Sequence, residues 1–343
     1  MAVAWLSRGA ITLTERDPWN GSRYDASHRG GFYESYFLRG NHPTRPLAFW
    51  IRYTVFAPKG DPEAAVGQIW AIWFDGDRKK TVAVRTELPF SECHFAPRGL
   101  SVRVGDASLV DGSLNGKAEL GGHAISWDLQ YTGGGDPLLL LSRERYSSGF
   151  PKAKSVVPRP NAVFSGALVV DGVSCPVDGW QGSQNHNWGS RHTDRYAWGQ
   201  VAGFEEYPDA FLEVATARVR LGPVWSPQFT ILVLRQGDRE IRINGLMRAM
   251  RARAGLDGLD WRFHVEDSKW RIRGRIQADI HDFVGLTYRN PPGGQNYCLN
   301  SKIARCELIV ERRGKKAFQL TSSHGAAFEI LTDQNDHGVP ILV

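Results

Sequence analysis

The sequence predicts an all-β protein, in sandwich or barrel form, on three observations. Apolar residues alternate with period two along many segments, which is the signature of strands. Twelve Trp, ten Tyr and sixteen Phe accompany thirty-seven Gly and only three Met. Aromatics favour a pleated surface, and Gly supplies the positive φ of tight turns. No long run places apolar residues at i, i+3, i+4 and i+7, so helices should be few. The best helical candidate is 243–254, whose arginines mark a short surface element.

The strands follow in order. In residues 47–56, one face carries Leu47, Phe49, Ile51, Tyr53 and Val55, and the other Ala48, Trp50, Arg52, Thr54 and Phe56. In 66–75, Trp70 and Trp73 fall on opposite faces. His123, Ile125, Trp127, Leu129 and Tyr131 alternate with Ala124, Ser126, Asp128 and Gln130. Trp270, Ile272, Gly274, Ile276 and Ala278 alternate with three arginines, Gln277 and Asp279, a strand with one apolar and one solvated face. Residues 147–161 hold three prolines and two lysines without a strand pattern, which suits a surface connection. The join between two β domains is expected there or just after, giving domains 1–165 and 166–343.

A chain that is 42% apolar and 23% charged is neither a disordered tail nor a fibre. Its apolar runs are short, Leu138 to Leu141 being typical, so none should cross a bilayer. The first sixteen residues show no basic region followed by an apolar one, hence no secretory signal. Cys93, Cys175, Cys298 and Cys306 lack CxxC spacing, so they read as free thiols in a reducing compartment. The cytoplasm is the expected location.

The net charge of +6 is uneven. Residues 235–275 hold eleven Lys and Arg against six Asp and Glu, either a basic face for an anionic lipid surface or a set of solvated strand exteriors. No RNP-like or helix-turn-helix pattern points to nucleic acid, and none is expected as a partner.

Polar and aromatic residues are densest in 179–200, which holds Trp180, Gln184, Asn185, His186, Asn187, Trp188, Arg191, His192, Asp194, Tyr196, Trp198 and Gln200. Buried polar groups need partners. The stretch is therefore either a structural network closing a barrel or the lining of a pocket with a few directed donors. His186, His192 and Asp194 lack the helical HExxH register, so no metal is expected. In 211–220, Glu213 shares a face with Phe211, Ala215, Ala217 and Val219. On so apolar a face the carboxyl should have a raised pKa and could serve acid catalysis on an alkene, or else it pairs with an arginine of a neighbouring strand.

These residues carry a resemblance. GSQNHNWGSRH with YAWGQ, followed by FLEVATARV, resembles the central motif of the carotenoid 1,2-hydratase superfamily, which includes AttH-like proteins and, more distantly, tocopherol cyclases. FYESYFLRG with LAFWIRYTVF, and LTYRNPPGGQNYCLNSKIARCEL, are similar to its opening strands and late hairpin. The resemblance implies two tandem lipocalin-like β-barrel or half-barrel domains with a ligand site at or between them. It also implies a cofactor-free lyase or cyclase acting on an isoprenoid or polyene, with relatives that guide pericyclic ring closure. His186, Asn187 and Trp188 match the motif, and Trp198 and Gln200 match the strand after it. Asn185 stands where hydratases tend to have an acid, so protonation would fall to Glu213 or an acid elsewhere.

Three functions remain open. The first is an enzyme that hydrates or cyclises a hydrophobic substrate. In it Glu213 is the acid, His186 and Tyr196 orient water or substrate, and Trp188, Trp198 and Trp50 stabilise cationic character. Asn187, Gln200, Gln184 and Asn185 complete its binding set. The second is a carrier for a hydrophobic small molecule, with the same aromatics as walls. The third is a carbohydrate-active protein, ranked last because no closely spaced carboxylate pair is visible.

Overall fold

The computed structural model describes residues 16–343, so the reading of the opening residues lies outside it up to residue 15. The fold is all-β: 62% strand and 7% helix, which places it in the predicted class. Two large antiparallel sheets dominate. The first has twelve strands, in the order Lys80–Pro89, Val66–Asp75, Leu47–Ala57, Phe32–Asn41, Val173–Gly189, Ala153–Val170, His123–Gly133, Ser113–Leu120, and then three short strands ending at Cys93–Phe95. Leu138–Leu139 pairs with Ala153–Val170 off that path. The sheet curls until Glu119 N donates to Thr86 Oγ1 at 3.1 Å, which brings Ser113–Leu120 against Lys80–Pro89 and nearly closes a barrel.

The second sheet has ten strands. Its order is Arg239–Ile243, Phe229–Gln236, Ala210–Arg218, Arg195–Ala202, Phe318–Thr332, Gln295–Arg312, Trp270–Gln277, Asp260–Glu266, Arg253–Asp257, with Val284–Arg289 paired to Gln295–Arg312. The change of sheet falls between Gly189 and Arg195. The helical expectation in 243–254 is met by a six-residue helix, Leu246–Arg251. Among the described residues no helix is long and apolar enough to cross a membrane.

The expected surface connection at 147–161 needs correction. From Ala153 onward it is strand, with Val156 and Val157 fully buried. Pro158 and Pro160 fall where its register with Val173–Gly189 jumps, between Val156 and Ala162. A proline cannot donate to the ladder, but an irregular stretch does not ask it to.

Strand parity then sets what each sheet face meets. In Leu47–Ala57 every residue is buried. Leu47, Phe49, Ile51, Tyr53 and Val55 pack inside the first barrel with Tyr36, Leu38, Trp73 and Trp180. Trp50 and Ala48, on the other face, pack with Phe37, Trp70, Trp198, Leu286 and Ala327 in a core that belongs to both sheets. The interior of the second sheet is separate, built on Leu212, Val214, Trp261, Phe263 and Phe328. The two curved sheets share a wall, and at that wall neither face of a strand is solvated.

Candidate active site at the junction of the two sheets

The wall between the sheets carries most of the buried polar side chains. In Phe32–Asn41 odd residues face the second sheet, so Ser35, Phe37, Arg39 and Asn41 line the junction while Glu34 and Tyr36 point into the first barrel. The same rule divides Val173–Gly189. Ser183, Asn185 and Asn187 look toward the second sheet, and Gln184, His186 and Trp188 look the other way. Gly182 allows that strand to lie close, because a Cβ there would overlap the Arg39 carbonyl. The dense polar motif therefore supplies two constellations rather than one.

The junction constellation is centred on Gln200 and Glu213, which are paired across neighbouring strands. Gln200 Oε1 accepts from Arg39 Nε at 2.8 Å and Ser183 Oγ at 2.7 Å, and its Nε2 donates to Asn185 Oδ1 at 2.8 Å. Asn185 Nδ2 in turn donates to Ser183 Oγ at 2.8 Å. Arg39, fully buried, also holds Asn41 Oδ1 at 2.7 Å. Burial lowers its pKa to about 9, against the opposing pull of Glu213 and Glu329.

Glu213 shares its face with Phe211, Ala215 and Ala217 as parity requires, and that face is turned to the first sheet rather than to the interior of the second. Its Oε1 accepts from Trp198 Nε1 at 3.1 Å, while Oε2 is buried without a partner among the described residues. Burial raises its pKa to about 7, and the Trp198 bond and the nearby Arg39 charge only partly oppose this. Both alternatives weighed from the sequence meet here: an arginine is near, but its donors are spent on Gln200 and Asn41, so the carboxyl remains unpaired.

Next to it lies a second charged group. Lys302 Nζ, fully buried, donates to Glu329 Oε1 at 2.8 Å and to Asn300 Oδ1 at 2.5 Å. It sits 5.7 Å from the ring centres of both Trp50 and Trp198. Burial lowers the lysine pKa, with Glu329 opposing. Tyr196 donates to Glu329 Oε2 at 3.4 Å, and burial holds its hydroxyl protonated, with a pKa well above the ordinary value. Phe37 stands edge-on to Trp198 at 6.0 Å and 6.1 Å from Trp50. Trp50 Nε1 is another buried donor without a partner among the described residues.

The other constellation closes the first barrel. His186 and Glu34 are both fully buried, with Nε2 to Oε1 at 2.8 Å. Nδ1 of His186 meets the Trp19 carbonyl at 2.6 Å, and the ring stacks on Tyr36 at 4.2 Å. Gln184 Nε2 donates to Asn20 Oδ1 at 3.1 Å. Trp188 packs with Leu139 and Val156, under Arg23. Asn187 is half-buried. Thus Glu213, Tyr196, Trp198, Gln200, Asn185 and Trp50 are gathered at the junction, whereas His186, Trp188 and Gln184 are separated from Glu213 by the sheet wall. His192 belongs to neither group. It stacks on Tyr33 at 3.9 Å, and burial beside Arg52 takes its pKa down to about 3. Among the described residues no three His, Cys, Asp or Glu side chains converge as a metal site.

Arg39, Lys302, Glu329, Asn300 and Glu34 were not singled out from the sequence. For the four charged ones the signal was a charge inside a strand-like run, as in YFLRG and LNSKIA; Asn300 had none.

The comparisons agree with this architecture. No family model matches the chain. An uncharacterised protein of Mycobacterium tuberculosis, found in two strains, is 25% identical over 304 residues, covering 86% of this chain and 85% of its own. The fold is similar to a protein of Nitrosomonas europaea described as an AttH, with TM-score 0.60 at 15% identity over 96% of this chain and 99% of that one. It is also similar to kievitone hydratase of Nectria haematococca, with TM-score 0.54 at 12% identity over 95% of each chain. CghA, solved with Sch210972, gives TM-score 0.52 at 13% identity over 94% of this chain and 97% of that one. The fold is thus the lipocalin-like one of these structures.

The raised pKa of Glu213 makes a stability prediction. Between its ordinary value of 4.5 and about 7, the folded protein holds a proton that the unfolded chain has released. Stability contributed by this group is therefore complete below 4.5 and is lost as pH rises through about 7, on the order of 3 kcal/mol in all. Buried neutral His192 works in the opposite sense, adding stability as pH rises from about 3 to 6.5. Comparison with Glu213→Gln isolates the carboxyl. The variant should gain on the parent in denaturant midpoint as pH is raised from 4.5 to 7, and a constant difference would show that Glu213 titrates normally.

Proposed function

We propose that this chain is a cofactor-free enzyme that protonates a carbon–carbon double bond of a hydrophobic isoprenoid or polyene at the junction. The carrying observation is Glu213, a fully buried carboxyl raised to about 7 with one oxygen held by Trp198 and the other free. At neutral pH and below, its proton passes to an alkene carbon, forming a C–H bond and leaving a carbocation and the carboxylate. Water or a ring hydroxyl of the substrate then adds to the cation, and the proton released returns to Glu213.

The faces of Trp50 and Trp198 supply the negative side of a quadrupole to the developing positive charge. Lys302 already sits by those rings, and an uncompensated ammonium there would oppose a cation; Glu329 at 2.8 Å neutralises it. Tyr196 and Gln200 are the polar groups placed to orient the nucleophile. His186, enclosed in the first barrel, contributes to the frame instead. The name of kievitone hydratase, which shares the fold, is in keeping with hydration.

A second reading is favoured by Asn185, an amide locked by Gln200 and Ser183 where the resemblance expects an acid. In it the junction shapes a substrate for ring closure without proton transfer. One experiment separates the readings. The protein is incubated with a panel of polyenes and prenylated phenols, and products are followed by mass spectrometry across pH. Hydration adds one water, and cyclisation leaves the mass unchanged. The rate should be level below about 7 and fall about tenfold per pH unit above it, since only protonated Glu213 donates. A pH-independent conversion would support ring closure alone, and retention without conversion would support a carrier.

A further inference from the structure

We propose that the outer face of the second sheet, at helix Leu246–Arg251 and the groove beside it, docks on an anionic lipid membrane surface. The helix turns only Ala249 inward, while Leu246 and Met247 are 61% and 59% exposed and Met250 is also exposed. Large side chains of this kind are normally covered, and here they alternate with Arg248 and Arg251. Two residues further on, Arg253 begins the edge strand of the sheet.

Across that edge runs an open groove of about 470 Å³ whose lining includes Arg253, Arg262, His264, Arg273, Arg275 and Ile309. The register explains it. Arg253 lies opposite His264, His264 opposite Arg273, and Arg273 opposite exposed Ile309, so one cross-strand row carries two arginines and an apolar end. In the adjacent row Arg262 and Arg275 share Asp260, and Glu307 is held by Arg305.

Six of the eleven basic side chains of 235–275 have an acidic neighbour, including Arg235 and Arg242 on the one Glu240 and Arg271 on Glu266 and Glu311. Arg251, Arg253 and Arg273, beside the helix and groove, have no acidic partner among the described residues, as is also true of Arg239 and Lys269. Arg248 has only a 3.8 Å approach to Asp267. His264 Nε2, next to Arg253 and Arg273, is a buried ring nitrogen without a partner among the described residues.

Unpaired arginines beside exposed aliphatic and thioether side chains match a headgroup layer over acyl chains. The arginines meet phosphates while Leu246, Met247 and Met250 enter the apolar boundary. A nucleic acid fits less well, because no exposed aromatic lies in 246–257 for bases to stack on. The inference is independent of the chemistry at the junction.

The test is flotation of the full chain with vesicles of phosphatidylcholine alone or mixed with phosphatidylglycerol. Binding should require the anionic lipid and weaken as salt is raised. Arg251→Glu combined with Arg253→Glu should weaken it at least tenfold, since each arginine near such a surface is worth about fivefold. Leu246→Ser with Met247→Ser should also weaken it. All four side chains are exposed, so melting should not change; Arg253→Gln is the milder substitute should the double charge reversal melt early. Equal binding to neutral vesicles, no binding at low salt, or undiminished binding by the variants would overturn the proposal. So would tight binding of single-stranded RNA that is lost in the same arginine variants without vesicle binding.

Discussion

Glu213→Gln should bind substrate as the parent does and turn it over about 10²–10⁴ times more slowly, the range that a positioned general acid supplies. Glutamine has nearly the same volume as a neutral glutamic acid and retains an oxygen for the Trp198 Nε1 donor. It therefore leaves the junction packed and removes only the transferable proton. The site suits this test because Glu213 is already mostly neutral below about 7, so no buried charge is created or lost in that range. The measurement is a single-turnover rate with a separate binding constant, both taken below pH 7. A variant that folds, binds and turns over at the parental rate would remove Glu213 as the acid and favour shaping without proton transfer.

The fold was largely legible because period-two alternation is a local signal. Both faces of residues 47–56 were assigned correctly from the sequence, down to Trp50 and Phe49 pointing opposite ways. What each face would meet was not legible. A buried strand at a wall shared by two sheets reads like a strand with one core face and one mixed face, because Arg52, Thr54 and Gln68 look solvent-directed until a second sheet covers them. Residues 153–161 were lost for the opposite reason. Their prolines are a strong local breaker signal, and the bulged register that accommodates them is a tertiary fact.

The site follows the same division. Glu213 and its face could be read from parity, and the density of amides and indoles in 179–200 did mark the buried network. The split of that motif also follows from parity, since His186 and Asn185 are adjacent and must point to opposite faces. Arg39 belongs to the first sheet, whereas Lys302 and Glu329 lie on the two arms of one hairpin of the second. The arrival of Arg39 at Gln200, beside that pair, depends on how the second sheet packs over the first, which no spacing in the sequence encodes.

The largest loss of stability should come from Glu34→Ala, on the order of 3–5 kcal/mol, because several hydrogen-bonding groups are left without a partner at about 1–3 kcal/mol each. Glu34 is fully buried, accepts hydrogen bonds from Ser22 Oγ at 2.6 Å, Arg23 N at 2.7 Å and Tyr24 N at 3.2 Å, and lies 2.8 Å from His186 Nε2. Both ring nitrogens of His186 lie against oxygens, Nδ1 on the Trp19 carbonyl and Nε2 on the Glu34 carboxyl. Three donors would lose their acceptor and His186 its partner at once, and water cannot easily replace it inside the barrel. The same bonds fasten 19–24 across the barrel, so its amides should lose hydrogen-exchange protection before the sheet does. His186→Ala should also destabilise, and the double variant should cost less than the sum of the two, because each single change already breaks the pair. Denaturant midpoints for the three variants measure this directly. An additive cycle, or a Glu34→Ala protein as stable as the parent, would show that the pair does not hold the N-terminal segment to the barrel.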